Sequence, residues 1–318
     1  MLIVLPLGCA TIWTIWTQSG DTMKAMVPYL LVFHGTILMF DLFFLVTDVR
    51  TWFPVIGLTY RPIISVPFLL EVYYPIACGL LLTGVLAMGV LLRRRAAAVA
   101  GVLQHVPQKV LLTVEGVFGV TMELGVVLTA YFGVADRAKA EQYYRTVFPH
   151  QPQLLPSNQP AVYYVPSINP IFSYYIGLLC FLICVLVLEI LFSIYAFIHA
   201  LERRSRDGSR VRSKQQTRAY QCILLQFMAP ASGIIYSLGV GLAATFGVDL
   251  PFEYLNPLLP ITFSLNTYWV SATCIAFNAK YKQYFFQRFV PKFLRPIDES
   301  PASHPRLLTQ SVAAVTRH

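Results

Sequence analysis

The sequence predicts an all-α membrane protein, a bundle of seven transmembrane helices with its N-terminus outside and its C-terminus cytoplasmic. Three observations carry this. Hydrophobic residues make up 56% of the 318-residue chain and charged residues only 12%, against roughly 25% charged in an ordinary soluble domain. Stretches such as 219–248 and 254–279 contain no charged residue. Each exceeds the roughly 20 apolar residues that a helix needs to cross a ~30 Å hydrocarbon layer. Finally, the 24 Lys and Arg collect in alternate gaps between the apolar runs. A β-barrel is excluded, because ~10-residue alternating segments do not recur.

Segments two to seven run near 27–47, 67–92, 110–134, 171–200, 219–247 and 257–279. The first, 1–17, barely reaches spanning length. No Lys or Arg precedes it and no clear cleavage site follows, so it reads as a shortened first helix rather than a signal peptide. The short start also suits an incomplete beginning. With the N-terminus outside, the gaps 18–26, 93–109, 201–218 and the tail from 280 hold 19 Lys and Arg, and the other gaps hold 5. This is the asymmetry of the positive-inside rule, and an odd helix added or dropped would scramble it. The expected division is a membrane domain over 1–280 and a partly disordered cytoplasmic tail over 281–318.

The net charge of +9 does not point to nucleic acid, since the basic residues form no single stripe with aromatics. It points to an anionic cytoplasmic leaflet, so membrane lipid is the expected partner of these charges. All six cysteines fall within or at the edge of apolar runs and read as small apolar residues rather than disulfide partners. No metal-ligand spacing occurs, and no cofactor is expected. No sequon for N-glycosylation occurs either.

Ionisable residues at membrane depth are costly and are functional candidates by default. Here they are His34, Asp41, Glu115, Glu123, Glu189 and His199, with Glu71 near an outer end. Because no Lys or Arg lies within the runs beside them, the acids are expected to be neutral, to face water, or to pair with hydroxyls and histidine. His34 and Asp41 lie seven apart, on one helix face and about 10 Å apart along the axis. With Glu189 they are the candidate polar switch, although interhelical packing by hydrogen bonds also explains them. Glu115 and Glu123 differ by about 80° in projection and do not share a tight face.

Aromatic residues mark the outer helix ends: Tyr73, Tyr74, Tyr163, Tyr164, Tyr174, Tyr175, Phe252 and Tyr254. An interfacial belt accounts for such residues, and so does the mouth of an apolar pocket with a few polar handles. On the pocket reading the ligand-binding candidates are Glu71, Tyr74, Tyr164 and Tyr175. Asn266, Tyr268 and Trp269, about three turns into the last segment, join them. At the inner ends, Arg93, Arg94 and Arg95 close the third segment, and Arg203, Arg204, Arg206, Arg210, Arg212 and Lys214 crowd the loop before the sixth. Both groups serve topology and also form a candidate docking face for an intracellular partner. Gly79, Gly84 and Gly89 permit close helix approach, and Pro230 permits a kink.

Four blocks in order resemble one family, the nematode serpentine chemoreceptors of class H. The first runs from Met23-Lys24 through Pro28-Tyr29-Leu30-Leu31-Val32-Phe33-His34 to Asp41-Leu42. The second joins Phe148-Pro149-His150-Gln151-Pro152 to Pro160-Ala161-Val162-Tyr163-Tyr164-Val165. The third is Ser213-Lys214-Gln215-Gln216-Thr217, continued by Leu225-Gln226-Phe227-Met228-Ala229-Pro230. The last is Ser264-Leu265-Asn266 with Asn278-Ala279-Lys280-Tyr281-Lys282. The chain departs from the pattern at His150, where the family has Cys, and at Arg93-Arg94-Arg95, which lacks the family's acidic Glu-Asn-Arg. An acid–arginine latch borrowed from that motif is therefore not expected.

The resemblance implies a seven-transmembrane receptor that binds a small external molecule and signals through a heterotrimeric G protein. It implies a plasma-membrane or ciliary location in a sensory cell. Enzymatic activity is not expected, since the acids lie on different helices with no nucleophile or metal motif nearby. A transporter or channel subunit is the alternative, although no internal repeat with broken helices is visible.

Overall fold

The structure, a computed structural model, describes residues 4–19, 26–47, 49–52, 56–60, 69–100, 108–149, 161–206 and 265–290, with separate positions between 221 and 258. Among the described residues five helices are long and apolar enough to cross a membrane: Val27–Phe44, Val72–Arg94, Thr113–Phe132, Ile171–Ala196 and Leu224–Ala243. They correspond to the second to sixth predicted segments, the helix of the third segment running two residues past its predicted end. The first and seventh are the shorter helices α1 (Val4–Gln18) and α7 (Asn266–Phe277).

The remaining long helices are α2 (Val27–Thr47), α3 (Leu69–Ala100), α4 (Gln108–Phe132) and α6 (Ile171–Arg206). α3 is the central one, packing against α2, α4 and α6. Its residues Val85, Met88, Leu91 and Leu92 are fully buried, and Pro75 is accommodated inside it. Three glycines five residues apart let the neighbours close on it, because each step of five turns the helix by about 140°. A Cβ on Gly79 would meet Val127 of α4, one on Gly84 would meet Thr36 and Ile37 of α2, and one on Gly89 would meet Glu189 of α6. The opposite faces of α4 and α6 expose Val114, Val117, Val120, Leu124, Leu188, Leu191 and Phe192. An apolar surface of this kind faces lipid.

At one end the bundle carries a layer that sequence periodicity did not predict. Strands β1 (Val49–Trp52), β2 (Ile56–Tyr60) and β3 (Ala161–Tyr164) form an antiparallel sheet in that order. The register pairs Trp52 with Gly57 and Leu58 with Val162. Helix α5 (Arg137–Val147) packs on β3. Asp136 caps it by accepting from the Lys139 amide at 3.0 Å. Ala140, Tyr144 and Phe148, four residues apart, form the buried face of α5, clustered with Tyr163 and Val165. Asn169 ties this end together, donating to the carbonyls of Phe132 and Val134 at 2.8 Å and accepting from the Ile171 amide at 3.1 Å.

At the other end, α7 stops at Asn278, whose extended backbone breaks the helix. The Asn278 side chain accepts from the amides of Lys280 and Tyr281 and so starts α8 (Ala279–Phe289). That helix occupies the beginning of the predicted tail. It is held to α1 by Ser19 with Tyr281 at 2.6 Å and by Trp13 donating to Tyr284 at 3.2 Å. The third predicted segment also runs further than expected, since α3 continues to Ala100 and carries Arg93–Arg95 inside it.

Candidate functional site

Three polar groupings lie at different heights in the bundle. At the sheet end, Tyr74 of α3 and Tyr175 of α6 share a hydrogen bond between their hydroxyls at 2.8 Å, and the Cys78 sulfur lies 3.2 Å from the Tyr175 oxygen. Cys78 is four residues beyond Tyr74 and so on the same face. Tyr164 leans over the group at a tilt, 4.8 Å from the Tyr74 ring and 5.0 Å from Phe172, which stacks on Tyr175 at 5.2 Å.

Strand alternation explains why Tyr164 joins them. Successive side chains of β3 point to opposite faces. Tyr164 falls into the bundle core and Tyr163 into the cluster under α5. Burial pushes both phenols above their ordinary value, and the Glu141 carboxylate pushes Tyr163 in the same direction. Tyr73, Tyr163, Tyr164 and Tyr175 are thus core residues rather than a lipid-facing belt, whereas Tyr174 and Tyr254 are exposed at 70% and 73%.

The opposite end of α3 is ionic. Arg93 lies between two acids, with Nε 3.2 Å from Glu189 of α6 and Nη1 3.7 Å from Glu115 of α4. Arg94 approaches the other oxygen of Glu115 at 3.5 Å, and its guanidinium stacks over the Tyr29 ring of α2 at 4.6 Å. Four helices meet here. The expectation that the membrane acids lack a fixed cation is overturned for Glu115 and Glu189. α3 continues as a helix past the charged triplet, which brings the two guanidiniums against neighbouring helices instead of into a loop. An acid–arginine latch is present after all, built from acids on α4 and α6. It also means that Arg93 and Arg94 do not form a free docking face. Tyr74 and Arg93 are nineteen residues apart on α3, about 28 Å along its axis, which is close to the ~30 Å of a hydrocarbon layer.

Between these ends, Asp41 of α2 is fully buried and accepts from the Thr267 amide at 2.8 Å. It thereby supplies the first turn of α7 with a carboxylate from another helix. Asn266, beside it, is also fully buried. These residues fall in the first turn of the described helix α7, and most of the predicted segment before it lies outside the described residues. Tyr268 and Trp269 are half exposed, and the Trp269 ring nitrogen donates to the Leu225 carbonyl at 2.8 Å. They face away from the buried pair. His34 is buried two turns away from Asp41 on the same face of α2, its ring edge-on to Phe33 at 5.4 Å. Gln226, part of the third sequence block, is buried and donates to the Val270 carbonyl at 3.4 Å, which pins the sixth span to α7.

The pattern of spans, sheet layer and arginine-bearing end now stands beside a match over nearly the whole chain. Residues 1–291 match the family described as serpentine type 7TM GPCR chemoreceptor Srh. The chain belongs to that family. No curated protein and no solved structure matches it.

For this serpentine receptor chain, the side chains of Glu71, Arg95, Arg203, Arg204 and Arg206 lie outside the described residues, although their backbones belong to α3 and α6. Arg210, Arg212, Lys214 and Pro230 lie outside them altogether. Among the described residues no disulfide joins any of the six cysteines. Cys274 is buried as expected, while Cys9 and Cys184 are exposed. Sequence reasoning missed the part that Phe172 and Cys78 play in the tyrosine cluster. The spacing of Phe172 three residues before Tyr175, and of Cys78 four after Tyr74, was the available signal.

Proposed function

We propose that this chain is a chemosensory G-protein-coupled receptor of the plasma membrane. Its small external ligand engages the Tyr74–Tyr164–Tyr175 cluster, and its basic end couples to a heterotrimeric G protein. The observation that carries the reading is the convergence of three predicted ligand residues from α3, β3 and α6 on one hydrogen-bonded aromatic group. Such a group is apolar with a few polar handles, as a small-molecule site requires.

A ligand that binds one packing of α3 against α6 better than another shifts their populations. The same two helices carry the Arg93–Glu189 pair at their far ends. Whatever reorients Tyr175 relative to Tyr74 therefore acts on the pair that holds the basic ends together. The arginines of the last turns of α6 and the loop after it offer positive charge to the G protein. The N-terminus is outside and the C-terminus cytoplasmic in this reading, with the domain boundary at 280 and the residues beyond it a cytoplasmic tail. A ciliary location in a sensory cell accompanies it.

The test is ligand-evoked second-messenger change in cells expressing the chain, with surface expression measured in parallel. Tyr175→Ala is expected to abolish the response at unchanged surface level. A full response from that variant removes the cluster from the ligand site. Charge reversal at Arg203, Arg204 and Arg206 that leaves coupling intact removes the docking role.

A further inference from the structure

Glu123 of α4 stands apart from the other membrane acids. It lies at mid-depth in the Thr113–Phe132 span, and among the described residues no Lys, Arg or His forms an ion pair with it. Glu115, two turns away on the same helix, has two arginines. Among the described residues the hydrogen-bond donor to Glu123 is Thr83 of α3, whose hydroxyl lies 2.7 Å from Oε1. That hydroxyl also lies 2.8 Å from the Gly79 carbonyl. A threonine has one hydroxyl proton, so it does not satisfy both acceptors fully. Among the described residues the Glu123 carboxylate thus has one shared donor and no cation. It is also reachable. Glu123 is half-buried at the α3–α4 seam, next to the lipid-facing Val120 and Leu124, which are 58% and 54% exposed. Gly79 lets α4 close on α3 just beside the carboxyl, since a Cβ there would stand 3.3 Å from Val127 and 3.8 Å from Glu123 Oε1.

A group that supplies several N–H donors, one positive charge and an apolar body fits this position, and carboxyls buried at membrane depth mark ligand or ion sites by default. We propose that Glu123 is a binding site for the ammonium group of a small lipophilic amine, entered from the bilayer between α3 and α4. The amine head pairs with the free side of the carboxyl, and its apolar body lies along Val120 and Leu124. The tyrosine cluster is nine residues further along α3 from Thr83, about 13 Å, so this is a second site beyond the one proposed above. Binding here does not depend on the receptor reading.

The full chain in phosphatidylcholine vesicles is treated with dicyclohexylcarbodiimide, which labels carboxyls reachable from the hydrocarbon phase, and the labelled peptides are read by mass spectrometry. Glu123 is expected to be labelled, and Glu115 and Glu189, held by arginines, are not. A tertiary amine, N,N-dimethyloctylamine, cannot be acylated and so acts only by occupying the site. At about ten times its dissociation constant it is expected to lower labelling about tenfold, while the isosteric branched hydrocarbon leaves labelling unchanged. The same amine is expected to raise the melting temperature of the wild-type chain and not that of Glu123→Gln, which keeps an acceptor for Thr83. Absent labelling at Glu123, equal protection by the hydrocarbon, or an equal melting shift in Glu123→Gln each overturns the site. Protection without an amine-evoked cellular response supports the site and counts against a signalling role for it, leaving the tyrosine-cluster reading to its own test.

Discussion

Gly89 shows how much a single hydrogen in place of a methyl can decide. A Cβ at this position would stand 2.9 Å from Glu189 Oε2, so Gly89→Ala pushes the carboxylate away from Arg93. Overpacking of this kind costs about 1–3 kcal/mol. The expected outcome is a destabilisation near the lower end of that range, read by thermal unfolding in detergent, because the Glu189 side chain can turn. In a Glu189→Ala background the same substitution is expected to cost nothing, and an equal cost in both backgrounds would separate Gly89 from the ion pair. Arg93→Ala is expected to cost more than Arg137→Ala. Arg93 serves two acids in a partly buried cluster, whereas Arg137 pairs with Glu141 on an exposed helix surface. Comparative unfolding of the two variants checks the order. The residue scale is also where the sequence was least legible. Acids at membrane depth were visible from Glu115, Glu123 and Glu189, but their partners were not. The helix end near Arg93 was drawn where hydropathy falls, whereas the backbone hydrogen bonds of α3 continue for two more turns.

At the scale of the element, α7 is the informative case. The described helix starts at Asn266, and the Asp41 carboxylate accepts from the amide of its second residue. A lost N-terminal cap costs about 0.5–2 kcal/mol. Asp41→Ala is therefore expected to destabilise the chain by that amount and to speed hydrogen exchange at the Thr267 amide, while Asp41→Asn keeps an acceptor and is expected to preserve protection there. Exchange rates that do not distinguish the two variants would remove the capping role. The sheet layer allows a pH prediction outside the membrane. Burial pushes the Tyr144 phenol up to about 12, against about 10 in an unfolded chain. The neutral form is favoured in the folded state, so the stabilisation is complete below about pH 10 and is lost as pH rises toward about 12. Tyrosinate absorbance is expected to show a late-titrating phenol that disappears in Tyr144→Phe. The seven apolar segments were legible because bilayer thickness dictates their length. The strands were not, since Val49–Trp52 and Ala161–Tyr164 are four residues each, too short for a period of two to stand out from apolar surroundings. The sequence therefore groups Tyr163 with Tyr164 at one helix end, as belt or pocket mouth, although adjacent positions on a strand face opposite ways.

For the whole molecule, the deciding quantity is the separation of the two ends of α3. About 28 Å of helix divides an aromatic group under a sheet from a cluster of two arginines and two acids, and a hydrocarbon layer fits between them. By the positive-inside rule the arginine end is expected to face the cytoplasm, with α5 and the sheet on the other side. That orientation is open to a direct check. Lys139 on α5 and Lys282 on α8 are both exposed and lie at opposite ends of the chain's bundle. A membrane-impermeant thiol reagent is expected to label Lys139→Cys in intact cells and Lys282→Cys only after permeabilisation. The native Cys9 and Cys184, although exposed, lie on apolar helix faces that such a reagent does not enter. Labelling of Lys282→Cys in intact cells would invert the molecule, put the tyrosine cluster on the cytoplasmic side, and leave an external ligand nothing to bind there. Labelling of both positions would require an even number of crossings between them, which the alternation of α6, the Leu224–Ala243 span and α7 does not allow.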